Sequence, residues 1–499
     1  LAAAQPAARV IGSTVVFTAL AAPVIAFVVA VSLIAFPSAS GATGALSTVA
    51  PRGSIVTSDG VVLAVTGEDG TRRYPLGSAA VETVGLVVPL VNQYGLERSA
   101  SALLTCAGGG FGAVLLAGVV GPRCSPATVM TTLDSGLQTA AVSAASGPAG
   151  GSIIVMRVST LDVLAAYSLD PGAARPDPNA VATGDLAIEE VSPLEPASSF
   201  YPAIFEEAIS PGSIFKVPVL AATAELGFAG SLGSVDPGEL GVENSWYGPC
   251  PSNDIPSAIA YSCNTVTAEI AQAVGQASLS TALSTYFGLD ADERLIDGRL
   301  VPAGATALPG APMTTGELSR TVIGLQSVRL TMLDLAAVVA HSVGASPGAS
   351  PTLVAGTCTP GMWSPSPSPL GGTAVGEPLS ASTVATIREG MALAVVDGTA
   401  SSLLAGVIGD TGDLEVLAKT GTPDREVDGV SVNDSLIVVI VDDYLILTRI
   451  QGTPENPTPD EDSPAMTLAQ DMLSALLAGW DRLEAAPVCP AATNGEAGS

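Results

Sequence analysis

The sequence predicts an α+β fold, with a central antiparallel sheet built from both ends of the chain and flanked by helices. Three observations carry this. Short apolar runs of strand length stand early, at 152–156 and 163–167. Three more stand late, at 416–418, 436–441 and 445–447, with Asp442-Asp443 as a tight turn between the last two. Between the two groups the pattern turns helical, at 213–226, 262–275, 332–343 and 380–396.

Taken in order, the chain begins with a short tail, 1–9, and an uncharged run, Val10 to Phe36. A helix needs about 20 apolar residues to cross a bilayer, so residues 10–36 read as one transmembrane anchor. Arg9 precedes the run and the next basic residue is Arg52. The positive-inside bias therefore places the tail in the cytoplasm and the bulk of the chain outside the membrane. A signal-peptide core is only about 7–15 residues long, which favours the anchor over a leader cleaved near Ser38-Ala39-Ser40. Residues 37–50 read as a linker and 51–130 as a small N-terminal domain. Within it, Ile55-Val56-Thr57 and Val61-Val62-Leu63 flank Ser58-Asp59-Gly60, which reads as a hairpin.

A larger domain is expected over 131–485. Thr131 to Asp134 reads as a strand leading into a helix near 138–145, and 170–200 as an extended loop. Gly452 to Ser463 is acidic and proline-rich. Ser463 then caps a helix with Pro464 at its first position and apolar residues at 465, 468, 469, 472, 473 and 476. Residues 486–499 read as a tail.

Composition excludes several classes. The net charge of −29 repels phosphate backbones, so no nucleic-acid partner is expected. A hydrophobic fraction of 47% excludes a disordered acidic chain. The one histidine, His341, excludes HExxH zinc sites, and its apolar helix-end setting reads as structural. The six cysteines form no CxxC pair, so no metal is expected. Outside a membrane they read as disulfides. Pairing sequence neighbours gives Cys106–Cys124 and Cys250–Cys263 and leaves Cys358 with Cys489, one of 15 connectivities. In this setting Cys263 reads as a disulfide or packing residue rather than a nucleophile.

The chain has only two lysines, Lys216 and Lys419, against 16 arginines. Each stands in a motif. In Pro211-Gly212-Ser213-Ile214-Phe215-Lys216 the serine opens a helix and the lysine, three residues on, shares its face. A serine hydroxyl is a poor nucleophile until a base removes its proton. A desolvated lysine amine can do so, whereas arginine cannot deprotonate. In Ser262-Cys263-Asn264 the hydroxyl can relay a proton and the amide can hold a substrate backbone group. In Lys419-Thr420-Gly421-Thr422 a cation and two hydroxyls suit a carboxylate, and the glycine lets a peptide approach an edge strand. By composition about one lysine in ten has a serine three before it and about one in a hundred is followed by Thr-Gly, so two lysines that each satisfy a motif, in this order, are not a coincidence.

Ser-x-x-Lys, Ser-x-Asn and Lys-Thr-Gly in this order are shared by serine β-lactamases and penicillin-binding proteins. The chain resembles the class B penicillin-binding proteins, single-pass peptidoglycan transpeptidases, and is most similar to their short actinobacterial type. Arg52-Gly53-Ser54-Ile55 with Leu63-Ala64, Arg73-Tyr74-Pro75, Gly95-Leu96-Glu97, Thr132-Leu133-Asp134 with Leu137-Gln138, Asp177-Pro178-Asn179, Ser262-Cys263-Asn264-Thr265 and Gly398-Thr399-Ala400 carry the likeness. Three features depart from it: Leu325 where the family has glutamine, Met332 where it has proline, and a polar stretch, Asp424 to Asn433, with no aromatic residue.

The resemblance implies a penicillin-binding/serine β-lactamase-like transpeptidase domain behind a pedestal-like small domain and one transmembrane helix. It implies that Ser213 attacks D-Ala-D-Ala and is acylated, with Lys216 as general base. Ser262, helped by Lys419, passes a proton to the leaving D-Ala, and Asn264 holds the peptide side. Lys419, Thr420 and Thr422 bind the terminal carboxylate, and the N–H groups of Ser213 and Thr422 form the oxyanion hole. A stem-peptide amine is the acceptor, β-lactams acylate Ser213, and no cofactor is implied. A polytopic membrane glycosyltransferase is the implied partner, through the anchor and the small domain. A carboxypeptidase or β-lactamase would use the same site with water as acceptor. The complete Ser213–Lys216 pair argues against an inactive scaffold, and a β-lactam sensor would need a larger cytoplasmic or multi-span part than the nine residues before the expected anchor.

Overall fold

The computed structural model describes residues 52–489, apart from the stretches 89–91, 106–125, 184–199, 303–307, 359–365, 404–411 and 460–463 and a few isolated positions. The expected anchor, linker and first tail, nearly all of the last tail, Cys106, Cys124 and the capping Ser463 lie outside the described residues. Among the described residues no helix is long and apolar enough to cross a membrane.

The N-terminal hairpin forms as expected from β1 (Ile55–Val56) and β2 (Val62–Thr66), followed by β3 (Arg72–Arg73). A separate two-stranded ribbon pairs β4 (Val87–Val88) with β5 (Asn92–Gln93). Next, β6 (Thr128–Thr131) runs parallel to β1. The strand expected over 131–134 therefore ends three residues sooner. Asp134 instead caps α1 (Ser135–Ala145), its carboxylate accepting from the Leu137 N–H at 2.8 Å.

The central sheet begins with β7 (Gly151–Arg157) and β8 (Val163–Leu169). The segment expected as loop after it contains a short helix, Pro178–Thr183. A 3-10 turn, Gly212–Phe215, then feeds α2 (Lys216–Glu225). There follow α3 (Ile255–Ala260) and α4 (Asn264–Val274), a ribbon of β9 (Glu293–Ile296) and β10 (Arg299–Pro302), and α5 (Met332–Ser342). Next come β11 (Val354–Cys358), β12 (Ser366–Pro367) and α6 (Ala381–Val396). Strand β13 (Val416–Gly421) is followed by a hairpin of β14 (Asp424–Val427) and β15 (Val430–Asn433), then β16 (Ser435–Val441), β17 (Tyr444–Ile450) and α7 (Pro464–Ala478).

The order β13-β16-β17-β7-β8 confirms a sheet closed by both chain ends, with every neighbour antiparallel. Its inner strands are continuous apolar runs because both faces are covered. Ile153, Val155, Ile437, Val439 and Ile446 face α1 and α7, packing on Leu137, Leu468, Met472 and Leu473. The alternate residues Ile154, Met156, Val438, Ile440 and Leu447 pack into the helical core that contains α2, α4 and α5. A second sheet, β12-β11-β6-β1-β2-β3, joins strands from both sides of residue 131.

Two disulfides of the neighbour pairing are present, Cys250–Cys263 and Cys358–Cys489. His341 is buried, with Nε2 2.9 Å from the Glu377 carbonyl and its ring edge-on to Phe287.

Candidate active site

Ser213 sits on the 3-10 turn that opens α2, half-buried between the helical core and the edge strand β13. The turn needs glycine at 212. Its φ is +53°, and a Cβ there would lie 2.9 Å from the Pro423 ring. Lys216, first residue of α2, is fully buried. Its Nζ lies 2.5 Å from the Ser262 carbonyl oxygen, 3.1 Å from Ser262 Oγ and 2.6 Å from Asn264 Oδ1.

Ser262 occupies the turn between α3 and α4 in a left-handed conformation, φ +56°. Non-glycine residues adopt this region rarely, and here it brings carbonyl and hydroxyl of one residue onto one amine. Two ties hold the turn. The disulfide joins Cys263 to Cys250, and Asn264 Nδ2 donates to the Glu243 carbonyl at 2.7 Å. Cys263 is therefore a structural residue.

Lys419 reaches the same hydroxyl from the sheet side. Its Nζ donates to Ser262 Oγ and to the Thr420 carbonyl, both at 2.8 Å. Burial, and then Lys419 beside it, push the Lys216 amine well below its ordinary range. Burial alone lowers Lys419 to about 7. The Ser262 hydroxyl stands between the two amines, accepting from Lys216 Nζ at 3.1 Å and from Lys419 Nζ at 2.8 Å. Two buried amines and one hydroxyl thus form a proton chain.

In front of this chain lies a cleft of about 460 Å³. Ser213, Ser262, Asn264, Thr420, Gly421 and Thr422 line it, so the structure brings six of the eight expected residues to one surface. Lys216 and Lys419 stand behind that surface. The charge of Lys419 reaches the cleft through Ser262 and Thr420, not by exposure of its ammonium.

Gly421, on the edge strand and in the cleft lining, also meets the nucleophile turn. A Cβ there would lie 3.0 Å from Ile214 and 3.1 Å from the Pro211 carbonyl, so the bare backbone lets β13 press against the nucleophile turn.

Other cleft residues were not anticipated: Ser245, Thr399, Asn433, Ser435 and Met466. Thr399 pairs its hydroxyl with that of Thr420 at 2.9 Å. Asn433 ends the β14–β15 hairpin, whose signal was the Asp428-Gly429 dipeptide; both residues have positive φ, +50° and +79°. Of the unusual residues, Leu325 lines the cleft and Met332 is buried at the start of α5. Among the described residues, no cluster of His, Cys, Asp or Glu could hold a metal ion.

Comparison with known proteins agrees with this geometry. The penicillin-binding protein transpeptidase domain matches residues 151–435. The peptidoglycan D,D-transpeptidase PbpA of Mycolicibacterium smegmatis is 30% identical over 315 residues, 57% of this chain. The match spans 61% of that protein's length. Penicillin-binding protein A of Mycobacterium tuberculosis, solved as an imipenem acyl-enzyme complex, superposes with a TM-score of 0.67 at 23% identity, covering 85% of this chain and 98% of that one. Penicillin-binding protein 3 of the same organism gives 0.62 at 21% identity, over 89% and 99%. The transpeptidase match extends over more than half of the chain and contains all three motifs, and the chain therefore belongs to the penicillin-binding protein transpeptidase family.

Proposed function

We propose that the chain is a membrane-anchored peptidoglycan D,D-transpeptidase that cross-links stem peptides through an acyl-enzyme on Ser213. The observation that carries this is the convergence of the chain's two lysines, both buried, on the Ser262 hydroxyl beside the cleft that contains Ser213. The acyl-enzyme of the mycobacterial relative and the D,D-transpeptidase named among the relatives support it.

In the first half-reaction Ser213 Oγ attacks the penultimate D-Ala carbonyl and its proton passes to Lys216. The oxyanion is held by the N–H groups of Ser213 and Thr422, where loss of one donor costs about 2.7–4 kcal/mol. As the peptide C–N bond breaks, the departing D-Ala nitrogen takes a proton from the Lys216–Ser262–Lys419 chain. Thr420 and Thr422, with the field of Lys419 behind them, hold the terminal carboxylate. An amine from a second stem peptide then attacks the ester, loses its proton to the same chain and releases Ser213.

In this reading residues 10–36 anchor the chain, 131–485 form the extracytoplasmic catalytic domain, and 51–130 act as a pedestal toward a polytopic glycosyltransferase. The supports are the uncharged length of 10–36 and the resemblance. The test is intact mass of the chain with benzylpenicillin, beside Ser213→Ala. A stable adduct on the wild type alone is expected. An adduct lost within seconds would move the assignment to a β-lactamase. No adduct on folded protein would refute the catalytic reading.

A further inference from the structure

A buried ion cluster lies directly behind the cleft wall that the sequence left featureless. Asp434 separates Asn433 from Ser435, both cleft residues, and is itself 2% exposed. One carboxylate oxygen accepts from Arg425 Nε at 2.8 Å and from the Gly452 N–H at 3.0 Å. The other accepts from Arg449 Nε at 2.9 Å and lies 2.7 Å from its Nη2. Arg449, 3% exposed, extends to Glu207, with Nη1 3.3 Å from both carboxylate oxygens. Arg425 closes the other side by donating to the Gly452 carbonyl at 2.6 Å. A surface pair contributes little, whereas a buried carboxylate with four donors fixes the backbone around it.

Two arms lead from Asp434 toward the reacting centre, one from its backbone and one from its carboxylate through Arg449. In one, the Asp434 N–H donates to the Pro423 carbonyl at 2.9 Å. Pro423 follows Thr422, and its ring faces Gly212, the neighbour of Ser213. In the other, Arg449 anchors Glu207, on the strand of chain that enters the nucleophile turn; Ile209 in that segment is hydrogen-bonded both ways to Leu330. The first arm ends on Pro423, which follows Thr422 and faces Gly212 beside Ser213, and the second ends on Glu207, six residues before Ser213 on the segment that leads into the nucleophile turn.

We propose that Asp434, with Arg449, is a positioning residue for the oxyanion hole: one buried carboxylate sets the separation of the Ser213 and Thr422 backbones. The inference rests on the proposed acyl transfer. It follows that Asp434 governs the chemical step and not the initial docking of a β-lactam or peptide, because neither it nor Arg449 lines the cleft.

The test is stopped-flow acylation of the full chain by a chromogenic cephalosporin, resolved into the saturation constant and the acylation rate constant. Asp434→Asn is expected to lower the rate constant at least tenfold with the saturation constant within about twofold, since a 1 Å misplacement of donors is costly. A double variant, Asp434→Leu with Arg449→Leu, guards against simple unfolding, because an apolar pair of this size commonly restores stability without restoring the hydrogen bonds. It should melt near the wild type and still acylate slowly. Wild-type rates in Asp434→Asn, or recovery of both melting temperature and rate in the double variant, would overturn the inference and leave the acyl-enzyme intact. Failure of the wild type itself to acylate would overturn the catalytic reading and this inference with it.

Discussion

Deleting one oxygen atom tests the proton chain. In Ser262→Ala the contacts at 2.8 Å to Lys419 and 3.1 Å to Lys216 disappear together, while the Ser262 carbonyl and Asn264 still hold Lys216. A hydrogen bond to a charged group is worth about 1.5–3 kcal/mol. Expressed in the transition state, that is roughly a ten- to hundredfold fall in acylation rate. Lys419→Met should produce a fall of similar size, because its ammonium is fully buried and meets the site through the same hydroxyl. The two changes should not add. The double variant is expected within about threefold of the weaker single, the pattern of groups that act as a unit. The assay is single-turnover acylation of all four proteins by a chromogenic cephalosporin. Single effects that multiply in the double variant would refute the chain and give Lys419 an independent role on the substrate carboxylate.

Three further outcomes follow from the same geometry. Lys419 is held at about 7, below its unfolded value, so between those two the unfolded chain binds more protons and stability rises with pH. The urea midpoint should therefore climb from pH 7 to pH 9.5 and climb less in Lys419→Met; an equal climb would remove the buried lysine as its cause. Gly421→Ala would crowd Ile214 and the Pro211 carbonyl, and should cut acylation at least tenfold while costing about 1–3 kcal/mol of stability. Unchanged acylation would show that the close approach is dispensable. Removing both cysteines of Cys250–Cys263 should destabilise by about 3 kcal/mol, and removal of Cys358–Cys489 by more, since the enclosed segments differ in sequence separation, 13 against 131. Equal melting-temperature losses in the two double variants would argue that local strain, not chain entropy, sets the effect.

The chemistry of the site was legible in the sequence because lysine is scarce. With two lysines among 499 residues, each position is a statement that only a deprotonable amine serves there. The sheet was legible because its buried strands are unbroken apolar runs with turn residues between them. The wall beyond Lys419 was not. Asp424 to Asn433 alternates polar residues with valines, and of these only Val432 is fully buried, so it carries no apolar run. Its structure comes from Asp428-Gly429 at the turn and from Asp434, Arg425 and Arg449, partners up to 24 residues apart. Ser245 was missed for a related reason: it enters the cleft from a loop whose placement depends on Asn244 beside Thr265, far along the chain. Thr399, though part of the Gly398-Thr399-Ala400 likeness, was not assigned to the site because the Ala260 carbonyl that places it is also distant in sequence. Position relative to a distant partner leaves no local pattern.

The closure of the central sheet by both ends of the chain has a consequence for the order in which the molecule can come into being. Strands β7 and β8 emerge early, but β17, which pairs with β7, ends at Ile450, and the lysine strand β13 joins the sheet only through β16. Loops of such length are closed late and slowly. During synthesis the nucleophile turn therefore exists for about 200 residues of elongation with no strand beside it, and the apolar faces of β7 and β8 wait uncovered. A chain arrested before residue 450 carries Ser213 and Lys216 and has no reaction centre. The activity is assembled in one late step, and until then the early strands are open edges that other chains can occupy.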